Sequence, residues 1–290
     1  MQIQPNISEK STPVVVVTGA AGGIGKHVLL QLQGRARILA IVQNAAQQSE
    51  VAALSAHSVA CDLNDAASVQ RALDEIRASC PEGIDGLVFT AAIQPVGPLE
   101  LISRQDLERL FAVNVFGTIQ VVQGLIPGLR RRRGRIVIFS SMAGRVAIPV
   151  LGAYNGGKFA LEGISDTLRR ELLPSGISVS LIEPGGVETP MAAAQGPLVE
   201  QLLARLDAQS EQHYGRLIRG YLAMAKAGLR HASKPEAVAQ LAVATILRRD
   251  TPRARYVAGR DAKLMIFMSR WLPTRWLDAM LVKLVLGKNS

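Results

Sequence analysis

The chain has 290 residues, 48% of them hydrophobic, and a formal net charge of +10. That length is long for one domain and short for two, and the apolar content is ample for the core of a single α/β domain. The basic surface allows nucleic acid, anionic lipid or an acidic substrate carrier as a partner, but the aromatic content of 4% argues against a base-stacking RNA-binding surface.

Metal binding, secretion and membrane crossing are not indicated either. Cys61 and Cys80 match neither a disulfide framework nor a metal-ligand spacing, and the four histidines form no such spacing. Residues 1–12 are a polar N-terminal tail without the apolar segment of a secretory signal, and the chain has no run of 18 uncharged apolar residues. We therefore expect no metal, no bilayer-spanning helix and a cytoplasmic location.

The first predicted strand is followed at once by a glycine-rich turn. Residues 14–17 are a compact apolar strand, 18–25 read T-G-A-A-G-G-I-G, and 26–32 are typical of a helix. Glycines permit a tight turn and let the backbone approach a pyrophosphate at a helix N-terminus, where the free N–H groups favour anions. This context predicts a dinucleotide site formed by Thr18, Gly19, Gly22, Gly23, Ile24 and Gly25.

The next two strands bear on the choice of cofactor. Gln43 follows the predicted strand 37–42, at the position where an acidic residue would bind the ribose of NAD and a basic one the 2′-phosphate of NADP. Neither charge is present, and the missing carboxylate favours NADP(H) over NAD(H). Asp62 ends the third strand; it either receives an adenine amino group or caps the helix predicted over 66–79, for which Asp65 is the better candidate.

The remaining strands complete the fold prediction. Strands are predicted over 86–92, 136–139, 177–182 and, at the end, 255–259, with helices between them; the helix over 106–124 carries Asn114 within an apolar run. This alternation predicts a Rossmann-like, doubly wound parallel sheet of about seven strands with helices on both faces, in a single domain. A buried asparagine in such a helix must find partners, or hold a water, or kink the backbone.

Three side chains near the strand at 136–139 suggest chemistry. Ser141 follows the strand end, and Tyr154 and Lys158 are four residues apart, about one helical turn. An adjacent ammonium favours the phenolate and would lower the tyrosine pKa, and a serine hydroxyl could hold a substrate oxygen while the tyrosine moves its proton. A tyrosine and a lysine on an ordinary helix face are the alternative, since so short a motif occurs often by chance.

Three further segments complete the chain. Residues 130–133 are four arginines, which we interpret as a solvated turn that compensates a helix dipole rather than as a nucleic-acid site. Residues 191–230 are helical and predicted to form a lid over a cleft, and Ser233 and Glu236 match the capping pattern of a helix start. Residues 261–290 are an amphipathic extension whose apolar stripe packs on its own core or a partner subunit, or contacts a membrane or a lipophilic substrate.

Taken in order and spacing, these residues resemble the short-chain dehydrogenase/reductase family. Residues 18–25 match its TGxxxGxG loop, and Pro184, Gly185 and Thr189 match its PG-x-x-x-T segment. The resemblance implies a catalytic tetrad of Asn114, Ser141, Tyr154 and Lys158, with Asn114 positioning a water. It also implies cofactor contacts from Gln43, Asp62, Leu63, Ala91, Ala92, Tyr154, Lys158, Pro184, Gly185, Val187 and Thr189, and a homodimer or homotetramer.

Two segments depart from the family pattern. Residues 89–92 read Phe-Thr-Ala-Ala where the family has Asn-Asn-Ala-Gly, so a side chain that steadies the central sheet and a glycine beside the adenine ribose are missing. Gly156 and Gly157 lower helix propensity by up to about 1 kcal/mol each, so packing must hold that turn.

Residues 255–264, which read R-Y-V-A-G-R-D-A-K-L, and residues 271–273, which read W-L-P, are similar to the C-terminal extension of retinol and hydroxysteroid dehydrogenases. We therefore expect an NAD(P)-dependent oxidoreductase that transfers a hydride to or from a secondary alcohol or carbonyl of a lipophilic, retinoid-, steroid- or fatty-type small molecule. No nucleic acid partner is expected, and peripheral membrane contact through the last helix is an option. The alternatives are a β-ketoacyl-carrier-protein reductase and a non-enzymatic cofactor-binding sensor or scaffold.

Overall fold

The computed structural model describes residues 12–286, so nearly all of the predicted N-terminal tail and the last four residues of the extension lie outside the described residues. The described chain contains seven strands, all of them predicted from the sequence. They are β1 (Val14–Thr18), β2 (Arg37–Val42), β3 (His57–Ala60), β4 (Gly86–Phe89), β5 (Arg135–Phe139), β6 (Ser178–Pro184) and β7 (Arg255–Ala258).

Eleven α-helices connect and follow these strands within the described residues. They are α1 (Gly23–Leu32), α2 (Ala45–Val51), α3 (Ala66–Ser79), α4 (Arg104–Phe111), α5 (Gly117–Arg132), α6 (Gly152–Leu172), α7 (Pro190–Leu203), α8 (Ala208–Leu229), α9 (Pro235–Ile246), α10 (Arg260–Trp271) and α11 (Thr274–Leu286).

The strands form one parallel sheet in the order β3-β2-β1-β4-β5-β6-β7. Because both faces of this sheet are covered by helices, the central strands β1, β4 and β5 carry buried apolar residues on both faces rather than alternating. In β1, Val14 and Val16 face the layer that contains α3, α5 and α6, while Val15 and Val17 face α1 and α9. The predicted fold class, a Rossmann-like doubly wound sheet, is confirmed.

The order of the strands reverses direction between β1 and β4, since the chain winds outward to β3 and then returns to add β4 beside β1. In open parallel sheets, ligands bind beyond the carboxyl ends of the strands at such a reversal. The glycine turn after β1, the loop after β4 and the loop after β5 (residues 140–151, here called the serine loop) all leave the sheet at this edge. The topology therefore gathers the predicted motifs at one place.

Two predicted helix starts can be compared with the structure. Asp65 accepts a hydrogen bond from the N–H of Ala67 (2.9 Å) and caps α3, as expected. The predicted cap at Ser233 is wrong: Lys234 is the N-cap of α9, without a side-chain hydrogen bond, and Pro235 occupies the first position. Proline fixes the φ angle of that position and needs no N–H partner there, so the helix starts without a capping serine.

The four-arginine run lies where the sequence places it. Arg130, Arg131 and Arg132 form the last turn of α5, and Arg133 is the C-cap in the left-handed conformation (φ 49°). Cations at this end interact favourably with the helix dipole, and the run has no aromatic neighbours in the sequence.

One helical stretch, Arg104–Arg132, is long and apolar enough by composition to cross a membrane, which the sequence analysis did not allow for. Within it, Val121, Leu125 and Leu129 are fully buried in the core between the sheet and α3. The most apolar window of the stretch is 44% buried. In this structure it packs as a core helix.

Candidate active site

The tyrosine and the lysine of the predicted motif share one face of α6 at the carboxyl edge of the sheet. Tyr154 lies in the first turn of α6, and the Lys158 ammonium is 5.6 Å from the centroid of its ring. Lys158 is only 2% exposed, and its Nζ donates to the carbonyl oxygen of Phe139 at the end of β5 (2.8 Å). That hydrogen bond fixes the helix to the strand end.

The serine of the motif completes the group from a different element. Ser141 caps a short 3₁₀ turn (Met142–Gly144) after β5, and its Oγ accepts from the N–H of Ala143 (3.1 Å). The same hydroxyl is hydrogen-bonded to the Tyr154 phenol. Phenol, ammonium and hydroxyl, which are far apart in sequence, therefore form one cluster.

The proton state of Tyr154 differs from the sequence expectation. Burial raises the pKa of Tyr154 to about 12, and the hydrogen bond from Ser141 opposes this rise only in part. The pKa of Tyr154 is therefore not lowered as the sequence predicted, because desolvation of the phenolate dominates. The phenol is therefore protonated at neutral pH, the form that donates a proton.

Lys158 is shifted by the same physical cause in the opposite direction. Burial lowers the pKa of Lys158 to about 8, since it penalises the ammonium, and the charge of Glu162 raises it again in part. A lysine with this pKa is mostly charged at pH 7, and it can gain or lose a proton in the pH range in which general acids and bases act. At neutral pH the site therefore contains a phenol that can donate a proton and, beside it, an ammonium that is mostly charged.

Asn114 lies in a π-helical segment (Ala112–Phe116) between α4 and α5 and is 1% exposed. Its Oδ1 accepts from the N–H of Ile93 (2.8 Å), and its Nδ2 donates to the Ile93 carbonyl (2.9 Å). The asparagine therefore both disturbs the helix, as its position suggested, and holds the loop after β4. It does not line the cavity described below.

The glycine turn is shaped as a dinucleotide cradle. A Cβ on Gly25 would lie 2.1 Å from the carbonyl oxygen of Gly19, and one on Gly23 would lie 2.8 Å from the side chain of Thr189. Gly19 itself has a φ of +62° and no room for a Cβ beside Ala91. The turn leads directly into the N-terminus of α1, whose N-cap Gly22 makes no side-chain hydrogen bond. Only glycines fit here, and the backbone is left free to approach a phosphate.

A cavity of about 970 Å³ extends from this cradle to the tyrosine. Every predicted cofactor residue lines it: Thr18, Gly19, Gly22, Gly23, Ile24, Gly25, Gln43, Asp62, Leu63, Ala91, Ala92, Tyr154, Lys158, Pro184, Gly185, Val187 and Thr189. Ser141 also lines it. The residues present therefore fit a nicotinamide dinucleotide in an extended arrangement along the sheet edge.

The structure also gives Asp62 and Gln43 their local contacts. Asp62 Oδ1 accepts from the N–H of Asn64 (2.9 Å), while Asp65 caps the helix, so of the two roles considered for Asp62 the helix cap is excluded. The backbone N–H of Gln43 donates to the side chain of Gln47 (3.0 Å), and Gln43 is exposed at the cavity edge.

Two residues that the sequence analysis missed hold the loops in place. The Thr90 hydroxyl donates to the carbonyl oxygen of Thr18 (2.7 Å), so it ties β4 to β1 where the family asparagine is missing. Asp261 at the start of α10 accepts from the N–H of Gly186 (2.8 Å), and a Cβ on Gly185 would meet its carboxylate at 2.1 Å. No local pattern reveals either contact, because the partners are 72 and 75 residues apart.

A hydrogen-bonded chain crosses the substrate end of the cavity. The Tyr221 hydroxyl of α8 donates to Gln195 Oε1 of α7 (2.5 Å), and Gln195 Nε2 donates to Gln94 Oε1 in the loop after β4 (2.7 Å). All three residues line the cavity. The helices predicted as a lid are thereby tied to the body of the site.

The apolar stripe of the C-terminal extension is partly buried and partly exposed. Leu281 and Val285 are buried and line the cavity, and Val285 belongs to the same cluster as Tyr154 and Tyr221. Trp276 is 70% exposed on the same helix. Leu281 and Val285 therefore pack on the chain's own core, whereas Trp276 and Leu284 remain exposed.

Comparison with known proteins defines the class. The family model "short chain dehydrogenase" matches residues 13–198. Human "Retinol dehydrogenase 5" is 34% identical over 286 residues, covering 95% of this chain and 88% of that protein. Human "17-beta-hydroxysteroid dehydrogenase type 1" is 32% identical over 260 residues, covering 84% and 76%.

Solved structures show the same fold. A short-chain dehydrogenase/reductase from Burkholderia phymatum in complex with NAD has a TM-score of 0.73 at 23% identity, covering 90% of this chain and 94% of that one. A short-chain dehydrogenase from Burkholderia cenocepacia J2315 in complex with NADP has a TM-score of 0.71 at 21% identity, covering 97% and 99%.

The chain belongs to the short-chain dehydrogenase/reductase family. It is an NAD(P)-dependent oxidoreductase that acts on CH–OH groups of small molecules.

Proposed function

We propose that the chain interconverts lipophilic secondary alcohols and ketones, with Tyr154 as the general acid/base. The observation that carries this proposal is the cluster that the buried Tyr154 and Lys158 form with the half-buried Ser141 in the wall of the cavity. The bound nicotinamide supplies or accepts the hydride. The Tyr154 phenol gives its proton to the substrate oxygen during reduction and takes it back during oxidation, and Ser141 hydrogen-bonds that oxygen.

Lys158 supports the phenol in this scheme. Once Tyr154 has given up its proton, the phenolate lies beside the Lys158 ammonium, whose ring contact and hydrogen bond to Phe139 keep it in place. The attraction between the two charges stabilises the phenolate in a site with little water. We assign Asn114 to holding the loop after β4 and, by family resemblance, to positioning a water that passes protons to Lys158.

A lipophilic substrate is supported by the walls of the cavity. Apolar side chains from the serine loop, from α7 and α8 and from the C-terminal helices surround the space beyond Tyr154; they are Ile148, Leu151, Met191, Met224, Leu229, Leu264, Met265 and Leu281. The named relatives, a retinol and a hydroxysteroid dehydrogenase, point to the same substrate class.

Replacing Tyr154 with Phe removes the transferable proton and leaves the ring. We expect turnover to fall by about 10²–10⁴-fold while cofactor affinity stays within about twofold. The measurement is loss of nicotinamide fluorescence with a panel of retinoids, steroids, simple ketones and acyl thioesters, in parallel with cofactor titration. Tyr214→Phe is the control, since Tyr214 is hydrogen-bonded to Glu100 and does not line the cavity. Undiminished turnover of Tyr154→Phe would contradict the assignment, and turnover of acyl thioesters alone would favour the carrier-protein reductase.

We further propose a preference for NADP(H). The support is the absence of an acidic side chain at Gln43, which lines the cavity where β2 ends. A carboxylate there would repel a 2′-phosphate and would accept hydrogen bonds from a ribose hydroxyl.

The substitution Gln43→Asp tests this preference. We expect it to weaken NADPH binding at least about tenfold relative to NADH, since two anions at contact distance repel by about 1–4 kcal/mol near a protein surface. Both dissociation constants are measured by fluorescence. Gln70→Glu, an exposed position on α3 that does not line the cavity, is the charge-matched control. An unchanged ratio of the two constants would refute a role for this position.

Residues 191–230, which contain most of α7 and all of α8, are proposed to act as a substrate lid. The support is the chain from Tyr221 through Gln195 to Gln94, which joins these helices to the loop after β4. Fixing the lid costs entropy that these hydrogen bonds offset.

Gln195→Leu keeps the size of the side chain and removes both hydrogen bonds. We expect a rise of about 5–30-fold in KM for the best substrate of the panel, from the loss of about 1–2 kcal/mol. Lys226→Gln is the control, because the Lys226–Glu200 ion pair also joins α8 to α7 but is exposed and contributes little. Equal KM values for the two variants would show that the hydrogen-bonded chain from Tyr221 through Gln195 to Gln94 does not hold the lid.

We also propose that the C-terminal helices contact a lipid surface. Leu264, Phe267, Trp271 and Trp276 are each 58–70% exposed on α10 and α11, and basic residues accompany them, among them Lys263, Arg270 and Arg275. Exposed tryptophans with neighbouring cations are typical of helices that lie in the membrane interface.

Co-sedimentation with vesicles tests this contact. We expect binding to vesicles that contain anionic lipid, and a loss of at least about tenfold in affinity for Trp271→Gln/Trp276→Gln, since each buried ring contributes more than 1 kcal/mol. Phe116→Gln, which replaces an exposed aromatic residue near the start of α5, is the control. Binding that is equal for both variants would exclude these helices as the contact.

A further inference from the structure

A buried network of charged side chains lies directly behind Lys158. Glu162, one turn after Lys158 on α6, is 7% exposed, and Glu183 at the end of β6 is fully buried. Arg255 of β7 donates from Nε and Nη2 to Glu162 Oε2 (3.1 and 3.0 Å), and its Nε is 3.0 Å from Glu183 Oε1. Arg145 of the serine loop donates to Glu183 Oε1 (3.1 Å).

The network connects the three segments that carry the catalytic cluster. Arg145 belongs to the serine loop, Glu162 to the helix of Tyr154 and Lys158, and Glu183 immediately precedes Pro184 and its cofactor loop. The last strand contributes Arg255, which also contacts Asp166 (2.8 Å). Four segments far apart in sequence are therefore joined by ion pairs in which the two glutamates are buried and the arginines are partly exposed.

The serine loop packs directly against this part of α6. A Cβ on Gly144 would lie 3.0 Å from the carbonyl oxygen of Lys158 and 3.2 Å from Cγ of Glu162. The glycine therefore brings the loop into contact with the helix between its lysine and its glutamate. A larger side chain at this position would push the loop away from the helix.

Glu162 and Lys158 are both buried, and they lie four residues apart on one face of α6. Arg255 donates to Glu162 Oε2, but the buried Oε1 has no hydrogen-bond partner among the described residues. Asp166 is also paired with Arg169 and Arg170, so it has cations of its own. A buried carboxylate oxygen needs a compensating charge, and the Lys158 ammonium is a buried cation on the same helix face.

We propose that Glu162, held in place by Arg255, is a positioning residue that keeps Lys158 charged beside Tyr154. The proposal rests on the proposed function, in which Lys158 supports the phenolate. It assigns to the last strand, through Arg255, a part in setting the charge of the catalytic lysine.

The titration of Lys158 gives this proposal a measurable consequence. The groups around Lys158 are Tyr154 and Glu162 on α6, Arg145 from the serine loop, Glu183 from β6 and Arg255 from β7. Burial lowers the pKa of Lys158 and Glu162 raises it, so removal of the Glu162 charge should lower it further. Burial raises the pKa of Glu183, and Glu162 adds to that rise while both arginines oppose it.

The test is an NMR titration of the cofactor-free protein with lysines labelled with ¹³C at the ε position, in which Lys158→Met assigns the Lys158 signal. In Glu162→Gln we expect the midpoint of Lys158 to fall by at least about one pH unit, because the partner charge is lost in a poorly solvated site. In Glu162→Asp, which keeps the charge one methylene further away, we expect a smaller fall. Glu162→Gln should fold, since Arg255 retains Glu183 and Asp166.

Glu171→Gln is the matched control, because Glu171 is exposed near the end of the same helix and its substitution removes the same charge. We expect the titration midpoint of Lys158 in Glu171→Gln to equal the midpoint in the wild type. A midpoint in Glu162→Gln and Glu162→Asp that matches the control would overturn the proposal, and the Asp variant alone decides if the Gln variant does not fold.

Kinetics separate this proposal from the proposed function. The pH profile of kcat/KM in Glu162→Gln should move to lower pH by the same amount as the NMR midpoint, while KM for the cofactor changes less than about threefold and Glu162→Asp recovers most of the wild-type profile. If turnover does not depend on Tyr154, the proposed function fails. If it does, and the profile of Glu162→Gln equals that of Glu171→Gln, only the role of Glu162 fails.

Discussion

The site depends on the burial of one ammonium at the carboxyl edge of a parallel sheet. Lys158 is almost completely removed from solvent, and its proton is held by the carbonyl oxygen of Phe139 at the end of β5. That bond places α6, and with it the Tyr154 phenol, against the strand end. Ser141 of the serine loop is then hydrogen-bonded to the phenol. A buried cation needs partners, so the requirement for pairing organises both the catalytic cluster and the charges behind it.

Burial also explains the proton states. It penalises whichever form is charged, so it raises the pKa of the phenol and lowers that of the amine. As a result, the Tyr154 phenol is protonated at neutral pH, and it lies beside the Lys158 ammonium, whose pKa of about 8 is only slightly above neutral pH. The charge of Glu162 opposes the loss of charge from the ammonium, and the hydrogen bonds from Arg255 to Glu162 connect the last strand to the catalytic cluster.

Much of this could be predicted from the sequence, because the signals are local. The unbroken apolar strands, the glycine turn before α1, and the four-residue spacing of Tyr154 and Lys158 each follow from a short stretch of chain. The spacing rules for parallel sheets then bring separate loops to one edge. For that reason the predicted cofactor residues all line one cavity.

What could not be predicted depends on contacts between distant residues. Thr90 replaces the missing asparagine through a bond to Thr18, and Asp261 supports Gly186, and neither has a local signature. The expected lowering of the tyrosine pKa was wrong for a related reason: the spacing shows that a cation is near, but the extent of burial is a property of the whole fold. The wrong cap at Ser233 arose because a proline one residue later sets the helix start.

The central claim is that burial, rather than the neighbouring ammonium, sets the proton state of Tyr154 before cofactor binds. The most direct measurement is an ultraviolet absorbance titration of the cofactor-free protein, taken as the difference between the wild type and Tyr154→Phe. The account predicts no phenolate signal from Tyr154 until the pH exceeds about 10, where ordinary tyrosines ionise. A phenolate signal from Tyr154 near neutral pH would contradict it.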